Sequence, residues 1–148
     1  MVALGPNSPT FRRAFPELLG LFQKVKASPQ VAVRYQEWQS YLSIVYGSEV
    51  GDDALFVRHT YLSLVARLIA RFFLEPGVML ASLDALKKTI NGDYFQEHDI
   101  SNFIDDDFFT WPLTPSARGE LVEPSLRDRK ITRLNSSHIQ KSRMPSSA

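Results

Sequence analysis

The longest regular pattern of apolar and polar positions in the chain runs from Leu55 to Leu74. At 3.6 residues per turn its apolar residues fall on one broad side and its polar residues on the other, which predicts an amphipathic helix. Asp52 or Asp53 can cap its start, and Pro76-Gly77 closes it. The apolar side needs cover from at least two other elements. The residues of the apolar side are Val57, Tyr61, Leu62, Leu64, Val65, Leu68, Ile69 and Phe72. The polar row on the other side consists of Thr60, Ser63, Arg67 and Arg71.

Two further helices are predicted before this one. Residues 15–26 form a short amphipathic helix with Pro16 at its first position. Ser28 is the expected N-cap of a longer helix that begins at Pro29 and ends before Gly47, a residue that readily adopts the left-handed conformation of a helix end. Two long helices joined by a short turn favour an antiparallel pair. The inward residues of the longer helix are Val31, Tyr35, Trp38, Leu42 and Val45.

After the central helix, residues 78–90 predict another helix that Asn91-Gly92 stops. Residues 92–111 are aromatic and acidic and favour only brief helical turns. We expect four of their aromatic residues to plug the base of the bundle. They are Phe103, Phe108, Phe109 and Trp111.

The fold class that follows is all-α: an antiparallel helical bundle of three to five helices. Residues 1–14 are expected to be a flexible arm, 15–115 the helical domain, and 116–148 a disordered tail, because the tail is polar and serine-rich without an amphipathic stripe. The expected core residues are Leu62, Val65, Leu68, Ile69, Trp38 and Leu42.

Composition narrows the classes of protein. The 148 residues contain no cysteine, which excludes disulfides and thiolate metal sites, and 44% are hydrophobic, which excludes a wholly disordered chain. Arg58, His59, Arg67 and Arg71 put too much charge on the longest helix for a membrane span, so we expect no membrane association and a cytoplasmic location.

The net charge of +1 is unevenly distributed. From Ser125 onward six basic residues stand against one acidic residue, a balance of +5. The remainder, with 11 basic and 15 acidic residues, is at −4. A mildly acidic domain is therefore followed by a basic tail that has no aromatic residue to fold with.

One constellation has the residue types of a metal site. His59, His98-Asp99 and Asp105-Asp106-Asp107 follow the order of metal-dependent phosphohydrolases, in which imidazole and carboxylate ligands hold an ion that activates water. The spacing is poor, because the last aspartates follow His98 by only a few residues. The alternative is that these residues cap turns and hold no metal.

Three arginines of the central helix are the other candidates. Arg58 points into the apolar side, where it either pairs with the acidic cluster Asp105, Asp106 and Asp107 or extends its guanidinium out to solvent. Arg67 and Arg71 either contact DNA phosphates or a partner along an exposed helix, or belong to a solvated polar face.

Motifs for chemistry are absent from the sequence: it contains no phosphate-binding glycine-rich loop, no nucleophile signature and no HExxH. No catalytic, cofactor-binding or metal-ligating residue is therefore predicted.

Three fragments do carry a resemblance: Trp38 with VYG at 45–47, LFVRHTYL at 55–62, and GDYF at 92–95 with NFIDDDFFTW at 102–111. In this order they resemble the helical region just upstream of the catalytic domain in adenine-specific (N-6) DNA methyltransferases of bacterial single-chain type II and type I-like restriction-modification systems. The similarity covers residues 15–115. It implies a connector between a nuclease or helicase portion and the methyltransferase domain.

The parent enzyme that the resemblance implies would use S-adenosylmethionine to methylate an adenine flipped out of DNA. Its glycine-rich cofactor motif and its Asn-Pro-Pro-Tyr motif have no counterpart here, so no catalytic or cofactor residue carries over. The expected partners are DNA, through the parent protein, and the downstream methyltransferase domain. The alternatives are a stand-alone helical protein-interaction module and the metal-dependent phosphohydrolase.

The end of the chain has a separate resemblance. Residues 128–138 and 142–148 look like translated sequencing-adapter read-through. We therefore expect a truncated fragment of the parent whose residues after about 115 to 128 are not native.

Overall fold

The computed structural model describes residues 4–47, 50–77, 82–103 and 108–121. In these residues the fold is all-α, as predicted. The helices are α1 (Pro9–Val25), α2 (Pro29–Tyr46), α3 (Asp53–Leu74), α4 (Leu83–Ile90) and α5 (Asp93–Gln96). Two 3₁₀ turns follow, Ser101–Phe103 and Phe108–Leu113, and residues 115–121 are again helical. No helix in these ranges is both long and apolar enough to cross a membrane.

The α1 helix begins earlier than the sequence predicted. Ser8 accepts a hydrogen bond from the backbone N–H of Phe11 on its hydroxyl at 3.0 Å, and Pro9 takes the first helical turn, so Pro16 lies inside the helix. The flexible arm predicted for residues 1–14 is therefore wrong over 9–14. Phe11 explains the difference, because its ring packs edge-on against Tyr61 at 4.9 Å and is buried.

Other predicted helix ends are confirmed. Gly47 ends α2 in the left-handed conformation with φ 70°, and Asp52 caps α3 by accepting from the N–H of Leu55 at 2.7 Å. Ser28 occupies the N-cap position of α2, but its side chain makes no capping hydrogen bond. The predicted helix over 78–90 is seen as Leu83–Ile90, and residues 78–81 lie outside the described part.

Helices α1 and α3 form the antiparallel pair of this fold. Phe11 contacts Tyr61 at one end, Phe22 contacts Phe56 further along, and Lys26 pairs with Asp53 at 2.7 Å at the other end. Helix α2 reaches α3 mainly through large aromatic side chains, with ring centroids 5.0 Å apart between Trp38 and Phe56. The pairing partner of α3 is thus α1 and not α2 as we had predicted.

An aromatic cluster forms the centre of the molecule. Trp38, Phe22, Phe56 and Trp111 are at most 2% exposed. The predicted plug by the segment after Gly92 is confirmed for Trp111, whose indole N–H donates to the hydroxyl of Thr60 at 2.9 Å. Phe108 and Phe109 are half-buried and pack against the cluster. Phe103 instead packs against Phe95, with ring centroids 4.7 Å apart and the rings tilted by 36°.

The tail predicted to be disordered from 116 starts with a helix. Thr114 accepts from the N–H of Ala117 on its hydroxyl at 3.4 Å, and Ala117 is fully buried. Glu120 pairs with Lys24 of α1 at 3.4 Å, which ties this helix to the bundle. The rest of the predicted tail, 122–148, lies outside the described residues.

Candidate functional site

Helix α3 turns Arg67 and Arg71 inward, contrary to the prediction of an exposed polar row. Arg67 is 2% exposed and Arg71 is 9% exposed. The Arg71 guanidinium lies 3.3 Å over the ring of Tyr94 and pairs with Glu75 at 2.8 Å. Arg67 donates to the hydroxyl of Ser63 at 3.4 Å. Because both side chains are buried, they form neither of the two predicted arrangements, a row of phosphate or partner contacts or a solvated polar face.

The cause lies in the aromatic cover that follows α4. A guanidinium over the face of a tyrosine is attracted by the ring's quadrupole, and the aliphatic stem of arginine packs like an apolar side chain. Tyr94 is itself only 6% exposed, so it holds Arg71 in a closed environment. Within the described residues, Nε and Nη1 of Arg71 have no hydrogen-bond partner.

Arg58 is exposed, which agrees with the alternative in which its guanidinium extends to solvent. That group lies 5.9 Å from the centre of the Phe15 ring. The other alternative, an ion pair with Asp105, Asp106 or Asp107, involves acids that lie outside the described residues.

The two histidines of the metal hypothesis sit against aromatic rings. His59 contacts Trp38 and Phe109 edge-on, with centroids 5.7 Å and 6.2 Å away, and burial, helped by the charge of Arg58, lowers its pKa. Nδ1 of His98 lies 2.8 Å from the carbonyl oxygen of Tyr94. Among the described residues no three histidine, aspartate or glutamate side chains are grouped to hold a metal, and Asp105–Asp107 fall outside them.

A polar network joins α1, α2 and α3 beside the aromatic cluster. Burial and a hydrogen bond to Asp53 raise the pKa of Tyr35 to about 12. Burial would raise the pKa of Asp53, but hydrogen bonds from Lys26 and Tyr35 outweigh it and lower that pKa. This network ties the C-terminal end of α1 and the start of α3 to the body of α2.

Three exposed apolar side chains of α2 lie together on a surface that we call the α2 face: Val33, Tyr41 and Ile44. All three are more than half exposed, and Ile44 reaches 82%. With Phe108, they border a shallow depression of about 560 Å³. Val45, predicted to face the core, is 55% exposed.

A second apolar surface lies where α1, α3 and the 115–121 helix meet. It is a groove of about 540 Å³, and its lining in the described part is apolar except for Thr10, Glu17 and the hydroxyl of Tyr61. Val65, Ile69 and Phe72 line it from α3 and Leu121 from the last helix. With Leu62, these three α3 residues form what we call the α3 stripe: Leu62, Val65, Ile69 and Phe72.

The α3 stripe corrects the predicted core. Leu62 is 42% exposed and Ile69 is 52% exposed, whereas Trp38 and Leu42 are buried as predicted. Val65 and Leu68 are half-buried. Neither apolar surface was predicted from the sequence. The sequence signal that could have indicated them is that α2 and α3 have more apolar residues than one core can cover.

The geometry of the described residues therefore offers two apolar packing surfaces. Comparison of the chain with protein-family models, with curated proteins and with solved structures finds no match.

Proposed function

We propose that this chain is the helical connector of an adenine-specific DNA methyltransferase of a restriction-modification system, and that it acts by packing against neighbouring domains. The observation that carries the proposal is the α2 face, where Val33, Tyr41 and Ile44 are more than half exposed and border one depression together with Phe108. Contiguous exposed apolar patches of this kind mark interaction surfaces. The resemblance of residues 15–115 supplies the kind of protein in which such a surface would be covered.

The α2 face suits a connector because it is rigidly backed. Trp38 and Leu42 anchor the inner side of the same helix in the core, and both are buried. A partner that packs on Tyr41 and Ile44 therefore meets a preorganised surface and needs little ordering on binding. In this role the chain makes no chemical step. S-adenosylmethionine and the flipped adenine would bind to the downstream methyltransferase domain.

In the parent enzyme, DNA would also be contacted by domains other than this helical region. Arg67 and Arg71 are buried, so they are not offered to phosphates, and the residues before Ser125 sum to −4. An acidic surface repels the DNA backbone, which agrees with a connector that contacts protein.

The first test is to read the DNA downstream of codon 115 from an intact clone. The proposal expects the frame to continue into a glycine-rich cofactor motif and an Asn-Pro-Pro-Tyr motif. A gene that ends after Ala148 would overturn it and would leave the stand-alone interaction module, which the same α2 face supports.

The second test uses the downstream domain once it is read. We expect the wild-type chain to bind that domain in calorimetry and Ile44→Asp to weaken binding strongly, because a carboxylate would be placed in an apolar contact. Gln36→Asp is the matched control, since Gln36 lies at the polar border of the depression on the same helix. Equal binding by wild type and Ile44→Asp would exclude the α2 face as the docking surface.

A further inference from the structure

A groove between α4 and the 115–121 helix combines an apolar lining with positive charge. Its volume is about 510 Å³, which lies within the range of small-molecule pockets, about 300–1,000 Å³. Leu83 is 66% exposed and Leu121 is 60% exposed, so the fold leaves this apolar lining partly uncovered. We call it the α4 groove, and its apolar lining includes Leu83, Leu86, Ile90, Pro112, Leu113 and Leu121.

Two cationic side chains line the α4 groove, one from each helix. Lys87 comes from α4 and Arg118 from the 115–121 helix, and neither has an ion-pair partner among the described residues. Lys88, the next residue of α4, differs from Lys87 because its ammonium pairs with Glu97 at 3.0 Å. The α4 groove therefore presents two positive charges that the described part of the chain does not neutralise.

The acidic side chains of the same two helices do not compete for these charges. Asp84 of α4 is exposed and does not line the groove. Glu120 of the 115–121 helix pairs with Lys24 of α1 at 3.4 Å. In the described residues the lining contains no aspartate or glutamate, so an anion that enters the groove meets no carboxylate in its lining.

We infer that the α4 groove binds an aliphatic carboxylate, a molecule with an apolar chain and an ionised head. The apolar lining removes the chain from water. The ammonium of Lys87 and the guanidinium of Arg118 attract the head, and a guanidinium can donate two parallel hydrogen bonds to a carboxylate. A neutral apolar molecule would leave both charges without a partner, and a cationic amphiphile would be repelled.

The length of α4 favours a small molecule over a helix of another protein. Helix α4 has 8 residues, which at about 1.5 Å per residue is a length of about 12 Å. A helix packed along it would be supported over little more than two turns, whereas an alkyl chain needs no longer surface. The α4 groove shares no described lining residue with the depression of the α2 face, so the inference does not rest on the proposed connector role.

Titration calorimetry of the full chain with laurate, kept below its micelle concentration, tests the inference. We expect saturable binding of one laurate per chain. Decanoate, which is two methylenes shorter, should bind about tenfold more weakly. Dodecyltrimethylammonium, which has the same chain length and a positive head, should bind far more weakly than laurate. Absence of laurate binding, or equal binding of the two head groups, would overturn the inference.

Neighbouring lysines provide a matched pair of variants that locates the site. Lys87→Gln should weaken laurate binding by up to about fivefold, whereas Lys88→Gln should leave it unchanged, because Lys88 does not line the groove. The double variant Lys87→Gln/Arg118→Gln should weaken it about tenfold or more. Equal affinities for Lys87→Gln and Lys88→Gln, with the double variant at the affinity of the wild type, would overturn the inference.

A second pair tests the apolar part of the groove. Leu83→Asp should greatly weaken laurate binding, because it places a carboxylate beside the alkyl chain and the anionic head. Ile44→Asp on the α2 face makes the same chemical change outside the groove and should keep the affinity of the wild type. The reverse order of these two affinities would overturn the inference. Circular dichroism checks that each variant keeps its helices.

Discussion

The hydrogen bond between Trp111 and Thr60 should be measurable as a distinct part of the stability. Both residues are fully buried, and the indole N–H donates to the threonine hydroxyl at 2.9 Å. The hydroxyl in turn donates to the carbonyl of Phe56 at 3.0 Å. Thr60→Val keeps the shape of the side chain but leaves a buried indole N–H without its acceptor. We expect a loss of about 1–3 kcal/mol in the free energy of unfolding.

Urea unfolding followed by tryptophan fluorescence measures this loss. Trp38 remains in every variant as a reporter, and a loss of about 2 kcal/mol moves the urea midpoint by about 1 M. Thr60→Ser is the control, because it keeps the acceptor and removes only a methyl group, at a cost of about 1 kcal/mol.

A double-mutant cycle separates the hydrogen bond from packing. In a Trp111→Phe background, Thr60→Val should have little effect, because no indole N–H is left without a partner. A coupling energy below about 0.5 kcal/mol would refute the assignment of this hydrogen bond to stability.

Three other predictions follow from local contacts. Gly51→Ala should lower the free energy of unfolding by about 2 kcal/mol or more, since its Cβ would lie 2.9 Å from the Trp38 ring. Gly77→Ala, whose Cβ would have nothing within 4 Å, should lower it by about 1 kcal/mol through backbone strain. Equal losses for the two variants in urea unfolding would contradict this. The raised pKa of Tyr35 means that its contribution to stability is complete below its ordinary pKa of 10.0 and is lost as the pH rises to about 12. The difference in the free energy of unfolding between the wild type and Tyr35→Phe should therefore shrink across that range. The lowered pKa of His59 means that its contribution to stability is complete above its ordinary pKa of 6.5 and is lost as the pH falls below it. The free energy of unfolding should therefore drop more between about pH 7 and pH 5 in the wild type than in His59→Gln. Equal drops in the two proteins would contradict this.

Much of the helical framework could be predicted from the sequence because local signals specify it. Gly47 ends α2, Asp52 caps α3, and Trp38 and Trp111 are too large and apolar to remain outside. The start of α1 was missed although its signal is present: a serine followed by proline is a common helix start. Pro16, seven residues later, also suits the first helical position and was chosen instead.

The buried side of α3 could not be predicted from its own residues. Apolar residues occupy most of its circumference, so the pattern allows several faces to be the inner one. Contacts distant in sequence decide the outcome: Trp111 requires an acceptor and finds Thr60, and Tyr94 covers Arg71. The apolar groove and the exposed α3 stripe are consequences of that choice, which is why the sequence alone did not indicate them.

The close approach of Gly51 to Trp38 has a spectroscopic consequence. A Cβ at Gly51 would lie 2.9 Å from the indole, so a hydrogen atom of this glycine points at the ring. The circulating electrons of an aromatic ring shift the magnetic resonance of a proton held so near, and only in the packed conformation. The two Hα protons of Gly51 should therefore give widely separated signals, and the collapse of that separation would report loosening between α2 and the turn before α3 at a single site.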